Sequence, residues 1–420
     1  MAIGIGASGI VGIAFEQLSP PVLSGAPQAG GALTAGTYKY YITALNANGE
    51  TTVSNEVTVT TAAGNLTAHL SWPAVTGATG YKVYRTASGG GTGTELLIAT
   101  LGLVVVYDDT AVGAPSGAFP TANTATTPGV YAAPIKYFPF NSESITSTNQ
   151  TVFRRPIRQS ADIIGAVAGN YMIGGELNIE AIEDVVPYFL MGSRISVVKS
   201  GSTPNFTYTF TPTPAAVAAK TYSLTVVRNG IVFGYVGVCT SSFGFGVDNG
   251  LMTFKTSVMG RDEAVQSLPT PTYPTTVPFG AGQYSIEIPT GSAVLDTDTF
   301  EFSVEDAAEA QFRLKSTGRG AQFIKYGERA STMTFERDFQ DRTDFDAFKA
   351  TTSQSVTITA SKGVNNSISI LAPVAIKDTY EVGLSSEGDL VRASIAYQNI
   401  IDGTGKSWQI VIKTQEDITL

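Results

Sequence analysis

Several kinds of residue are scarce in this sequence, and each shortage closes off a class of function. There is one cysteine, Cys239, and one histidine, His69, in 420 residues. A lone cysteine makes no intrachain disulfide and no thiolate metal cage, which fits folding in a reducing compartment. Cys239 reads as a small buried apolar residue rather than a nucleophile. One histidine and one cysteine far apart in the chain leave no Ser–His–Asp or Cys–His constellation and no two-histidine metal site. Charged residues make up only 15%, and 26 Lys and Arg against 35 Asp and Glu give a formal net charge of −9. Binding nucleic acid by neutralising phosphates needs a basic face, so this balance argues against it. No window reaches the run of ~18 apolar residues that spans a bilayer. The opening, MAIGIGASGIVGIAF, is apolar, but no Lys or Arg precedes it and Glu16 ends it early, so it does not read as a targeting segment. A soluble protein made in a cytoplasm is the expectation.

Gly, Thr, Ser and small apolar residues are what the chain does have, with 44 Gly and 20 Pro. That composition suits many short strands joined by turns, hence a mainly β fold, and the length suits two or three domains. Residues 36–61, GTYKYYITALNANGETTVSNEVTVTT, alternate as strands do, with a turn at Asn46–Gly49. Strands follow at LTAHLSW (66–72), YKVYR (81–85), ELLIATL and VVVYDDT. Trp72, the run Gly77–Arg85 and the run Gly36–Glu50 resemble fibronectin type III and bacterial immunoglobulin-like modules over about residues 22–115, in a permuted strand order. The resemblance implies a β-sandwich in which Trp72 and the tyrosines are core or corner residues, or else a weak carbohydrate platform. Low-complexity stretches flank the module, SPPVLSGAPQAGG (Ser19–Gly31) and AFPTANTATTPG (Ala118–Gly129), and read as linkers around an inserted domain.

Residues 130–420 read differently. Strands are expected at 135–140, 171–180, 206–211, 221–229, 231–247 and 251–260, with a hairpin turn at Asp248-Asn249-Gly250. EAIEDVVPYFLMG reads as a short helix starting near Glu180 and kinked by Pro187. After a Pro-rich break at 268–282 the order returns: strand and short helix over 330–353, strands at 355–361 and 368–373, and a late hairpin over 375–399 turning at Glu387-Gly388-Asp389. Leu177, Ile179, Glu180 and Phe189 align with Met333, Phe335, Glu336 and Phe345, the mark of an internal duplication.

Candidate chemistry is thin. Asp108-Asp109 reads as turn and solvent-facing charge, with a hard-cation site as the alternative. Glu180, Glu183 and Asp184 read as a solvated face near a helix N-terminus. Nothing selects the convergent carboxylate pair that a glycosidase needs. IGIGASG and SGGGTG lack the context of a phosphate cradle. Catalytic, cofactor and metal residues are therefore assigned as none, and no enzyme is expected. One basic cluster stands out in VFRRPIRQS: Arg154, Arg155 and Arg158. It reads either as a solvated loop or as an inter-subunit contact, and nucleic-acid binding is the weakest alternative.

Joined across the insert, GIVGIAFEQ and TPGVYAAPIKYFPFNSESI resemble the opening of the tail tube proteins of tailed phages (siphophages), on Gly12–Glu16 and Pro128–Ile145. GNYMIGGELNIE, the helix ending Leu190-Met191-Gly192, and GFGVDNGLMTFK are similar to later segments of that family. The resemblance covers residues 1–18 and 128–420. It implies duplicated β-sandwich or barrel units with short flanking helices, divided as 1–18 (N-terminal segment), 19–127 (inserted immunoglobulin-like domain), 128–267 (first unit) and 268–420 (second unit). It also implies a virion structural subunit, assembled in the host cytoplasm, that self-assembles into stacked rings around a DNA-conducting channel. Rings of six are the family norm, and the duplication points to rings of three. Tape measure, tail terminator and distal tail proteins would be partners, DNA would pass without specific binding, and the insert would decorate the tail and touch host glycans weakly. The alternatives are another virion role (decoration, capsid or baseplate) and a carbohydrate-binding adhesin.

Overall fold

The computed structural model describes residues 9–110, 115–155, 162–213, 220–313, 318–383 and 391–418. The chain divides into two compact units: residues 1–15 with 129–418, and residues 16–128 with the last two residues. It begins with β1 (Ile10–Phe15), a strand of the larger unit whose residues from Val11 onward are all buried. The described part of the apolar opening, Ile10–Phe15, is thus core strand.

The smaller unit holds β2 (Ser24–Gln28), β3 (Gly36–Leu45), β4 (Val57–Thr61), β5 (Thr67–Ser71), β6 (Gly80–Arg85), β7 (Leu96–Leu101), β8 (Val106–Asp109) and β9 (Ser116–Ala118). One antiparallel sheet runs β2–β5–β8 and the other β4–β3–β6–β7–β9. Alternation in β3 turns Tyr38, Tyr40 and Ile42 inward, where they meet Leu70, Val83 and Trp72. Trp72 sits edge-on to Tyr81 at 5.4 Å. The predicted turn after β3 is held by the Asn46 side-chain oxygen, which accepts the N–H groups of Asn48 (2.9 Å) and Gly49 (3.0 Å).

Two expectations fail in this unit. Asp109 is fully buried and accepts hydrogen bonds from Tyr40 Oη (2.8 Å) and Arg85 Nη1 (2.7 Å), so only Asp108 faces solvent. The expected linkers are also packed. Leu23 and Ala125 are core residues, Ser24–Gln28 is a strand, and Leu18 N–H bonds to Ala125 O at 2.9 Å. Low complexity misleads here because Thr and Ala backbones pair as well as any other, and Pro still offers its C=O. The two ends of the unit lie side by side: Thr127 N–H donates to Glu16 O at 2.7 Å, and Gln17 pairs with Thr126.

The larger unit continues with β10 (Lys136–Phe138), β11 (Ser142–Glu143), β12 (Thr146–Asn149), β13 (Val152–Arg154), β14 (Gly165–Val167) and β15 (Tyr171–Glu180). Next come α1 (Val186–Met191), β16 (Ile195–Ser202), β17 (Asn205–Pro212), β18 (Tyr222–Arg228), β19 (Ile231–Asp248), β20 (Leu251–Gly260) and β21 (Asp262–Ala264). A second series follows: β22 (Tyr284–Glu287), β23 (Ala293–Val294), β24 (Thr297–Glu305), β25 (Glu309–Gln311), β26 (Phe323–Lys325) and β27 (Ala330–Asp338). It ends with α2 (Thr343–Lys349), β28 (Ser353–Ser361), β29 (Ser367–Gly383), β30 (Arg392–Asn399) and β31 (Gln409–Thr414).

The two series share one topology. β1 pairs with β10 and β18, as β22 pairs with β23 and β28. The order β18–β19–β20–β15 matches β28–β29–β30–β27. The small hairpins β13–β14 and β25–β26 occupy the same place in each series. Both long strands, β19 and β29, pair with one neighbour along their first half and another along their second, and carry a bulge, between Thr240 and Ser242 and between Lys377 and Thr379. Matching the bulges puts Leu177 level with Phe335 rather than Met333, two residues from the alignment expected from the sequence; Leu177, Ile179, Met333 and Phe335 are all fully buried. The first series adds the β16–β17 hairpin, which pairs with β31; β31 in turn flanks β29 as the short β21 flanks β19. In the β19–β20 turn Asn249 (φ 51°) and Gly250 (φ 79°) take the left-handed conformation expected of a tight hairpin. Residues 387–389 lie outside the described residues.

Aromatic rings fill the interior. Phe189 of α1 packs edge-on to Phe138 and Tyr222, and Trp408 sits edge-on to Phe243 and Phe302. A buried acid also ties the series together: Asp306 takes Arg194 Nη2 at 3.1 Å, Arg329 Nε at 2.6 Å, and the Ser193 hydroxyl. The first helix is shorter than predicted, because Pro187 fits the first turn of a helix rather than its middle. Glu180 therefore ends β15. Glu183 and Asp184 precede the helix and are buried rather than solvated. Glu183 binds Lys362 Nζ at 2.7 Å and Asn366 at 2.6 Å, and Asp184 accepts from Thr276 and Thr414.

Candidate functional site: a polar, acidic sheet face

The strand pairings of the larger unit lay eight strands side by side, β12–β15–β20–β19–β24–β27–β30–β29. Period-two alternation splits their side chains between two faces. One face is apolar and buried: Leu177 and Ile179, Phe254, Phe243 and Phe245, Phe302 and Val304, Phe335, Ile395. Directly opposite partners share it, such as Ile179 with Phe254, Phe245 with Phe302, and Phe335 with Ile395.

The other face is Thr, Ser, Gly and carboxylate. Register places Glu176 beside Ser257, Glu180 beside Thr253, Gly246 beside Glu301, Ser242 beside Glu305, Thr299 beside Glu336 and Ser394 beside Glu381. Asp248 and Asp338 extend the same face. These eight carboxylates outnumber two cations, Lys255 and Arg392, and Arg392 is held by Asp298 at 2.7 Å. No aromatic ring of these eight strands lies on this side in the paired register. Such a surface offers duplex DNA neither stacking nor phosphate neutralisation, and its field repels the backbone. The two outer edges of the sheet are open among the described residues: β12 pairs only with β15, and the end of β29 beyond Ile376 pairs only with β30.

The predicted site residues lie elsewhere. Arg154 is in β13 and Arg155 follows it, and both are exposed on the β13–β14 hairpin beside Val152 and Phe153. Arg158 lies outside the described residues. Cys239 is 2% exposed, and burial pushes its thiol up to about 12, so it is inert at neutral pH. His69 contacts Asp108 at 2.6 Å on the half-exposed side of β5 in the other unit. Among the described residues no three His, Cys, Asp or Glu stand close enough to hold a metal ion. None of the described helices is long and apolar enough to cross a membrane.

The sequence reading missed the acidic face because its middle, with Glu301 and Glu305, stands on β24, which that reading did not predict. The signal was present: TDTFEFSVE alternates Phe300, Phe302 and Val304 against Glu301 and Glu305. Read with period two, it gives both the strand and its acidic side.

A search of curated proteins returns no significant match. A family model described as phage tail tube protein matches residues 118–398, about two thirds of the chain. Those residues include the eight strands of the acidic sheet except for the last residue of β30. The chain belongs to the phage tail tube protein family, a family of structural proteins, and is a component of the virion tail.

Proposed function

We propose that copies of this chain close into rings, that the rings stack into a tube, and that the acidic sheet face lines the lumen through which DNA passes without specific binding. The observation that carries this reading is that face: continuous, small-residue, negatively charged, and bounded by two open strand edges. A conduit works best when its wall repels the polymer it conducts.

Width favours three copies over six. With strands about 4.8 Å apart and tilted about 40°, about 24 strands close a barrel roughly 45–50 Å across, while 48 close one about twice as wide. Three chains of eight strands give the narrower bore, which passes a single duplex and leaves little idle space. The repeated topology makes such a ring pseudo-hexameric. Tape measure, tail terminator and distal tail proteins are the expected partners along and at the ends of the tube.

The hairpins β13–β14 and β25–β26 are proposed to reach neighbouring subunits, with Arg154, Arg155 and Arg158 pairing with carboxylates there. The exposed Phe153 supports a contact role for the first. The smaller unit is read as an immunoglobulin-like or fibronectin-like decoration domain on the outside of the tube. Its two sheets and the buried Trp72 support that reading. Repeated on every ring, even weak contacts with host glycans would add up through avidity. The chain carries no enzymatic role in this proposal.

The test is negative-stain electron microscopy of the purified protein. End-on views with three outer knobs around a single hollow are expected. Compact monomers at every concentration and salt condition tried would refute the proposal.

A further inference from the structure

We infer that the intramolecular pairing of β19 with β24 is the template for the joint between neighbouring chains, so that the end of β29 in one chain pairs antiparallel with β12 of the next. The inference rests on the ring proposed above and names its contact surface. The eight-stranded sheet is two runs of four in the same order, β12–β15–β20–β19 and β24–β27–β30–β29. Inside the chain, the last strand of the first run bonds to the first strand of the second. The first strand of the first run and the last of the second are the same two elements, left open. Thr146–Asn149 and Glu381–Gly383 are exposed along their whole length. Open edges of this kind take up further strands.

The bulges set the register. Ser242 and Thr379 are the first paired residues past them, opposite Ser257 and Ala396. Across the sheet Ser257 pairs with Glu176 and Ala396 with Thr334. Glu176 in turn bonds through its carbonyl to Ser144 N–H, and Thr334 pairs with Glu301. Ser144 therefore corresponds to Glu301, and Thr148 to Glu305. Within the chain Ser242 faces Glu305 and Gly246 faces Glu301. Between chains, Thr379 accordingly faces Thr148, Glu381 faces Thr146, and Gly383 faces Ser144. On the core side Val382, 43% exposed, meets Ile145 as Phe245 meets Phe302. On the lumen side no like charges stand opposite each other.

The backbone of β12 offers this joint its middle residue. Ser144 and Gln150 donate their N–H groups toward β15, to Glu176 O (2.9 Å) and Asn170 O (2.8 Å). In an antiparallel ladder the odd residues between them point N–H and C=O the other way. Ser147 does so toward the open edge, whereas Ile145 is already bonded to the Glu143 carboxylate through its N–H and to Arg228 and Tyr235 through its C=O, and the Asn149 C=O accepts Thr151 N–H.

The experiment places Thr146→Cys and Glu381→Cys in one chain and oxidises the purified assembly. Buried Cys239 stays silent. A covalent trimer on a non-reducing gel is expected. Thr148→Cys with Glu381→Cys is two residues out of register and beyond disulfide reach, so it should give at least tenfold less. Rings or tubes that form without the first crosslink, or with equal yields from both pairs, overturn the seam and leave the ring standing. No assembly of the unmodified chain overturns both. Ser147→Pro gives a second reading, because it removes one outward N–H and no inner one. It should abolish rings with the thermal transition of the chain unchanged, and normal rings from this variant would also overturn the seam.

Discussion

Asp306 offers the sharpest quantitative test of how the larger unit is held together. Its carboxylate is 1% exposed and lies against Arg194 and Arg329, whose side chains are 7% and 12% exposed. Asp306→Ala leaves two guanidinium groups without the carboxylate that pairs with both of them among the described residues, and strands the Ser193 hydroxyl. Removing one member of a buried ion pair costs about 3–5 kcal/mol. For a body of about 300 residues that lowers the melting temperature by roughly 5–8 °C. The reporter is built in, because the two tryptophans are divided between the units: Trp408 is fully buried in the larger and Trp72 in the smaller. In a Trp72→Phe background, fluorescence melting follows the larger unit alone. The control is Asp298→Ala, which breaks the half-exposed pair with Arg392 (52% and 42% exposed) and should cost about 1 kcal/mol or less. If Asp306→Ala shifts the transition no further than Asp298→Ala does, the buried cluster does not tie the series together and the reasoning fails.

Two more outcomes follow from the smaller unit. Burial, with the Glu56 charge beside it, raises the Glu95 carboxyl above its ordinary 4.5. A raised carboxyl holds its proton more tightly in the fold, so its stabilisation is present below that ordinary value and is lost as pH rises through the raised one. Glu95→Gln should flatten this fall when Trp72 melting is followed from about pH 4.5 to 8 in a Trp408→Phe background, and an unchanged slope would refute it. Because the ends of the unit are hydrogen-bonded neighbours, deleting residues 17–126 and joining Glu16 to Thr127 through a short Gly-containing turn should leave the larger unit folded and assembling. Loss of the Trp408 transition in that variant would show that the two units are not separable.

Much of this was legible in the sequence where side-chain periodicity was strong. YMIGGELNIE and LMTFKTSVMG became strands over the residues predicted, and the turn between β19 and β20 followed from Asn249-Gly250. Legibility failed where tertiary contacts decide. Glu183, Asp184 and Asp109 look like surface charge in the sequence, yet each is buried because partners distant in the chain satisfy it. The Ala- and Thr-rich flanks look like linkers because their contribution to the smaller unit is largely through the backbone, which residue type does not report. The acidic face was hidden for a further reason. It is assembled from strands more than two hundred residues apart, and only the pairing of β19 with β24 makes it one surface.

The place of the smaller unit in the chain bears on how the larger one is made. β1 leaves the ribosome before its partners β10 and β18, which come only after the whole smaller unit. At about 5–20 residues per second, the stretch from Phe15 to Lys136 takes roughly 6–24 s to synthesise. Through that interval a fully apolar strand has nothing of its own sheet to pair with. A smaller unit that folds meanwhile brings Glu16 and Thr127 into hydrogen-bond contact, and so hands β1 to β10 across a gap of a few residues instead of a long flexible loop. The insert is then also a timing device: it delays the first strand and then delivers it.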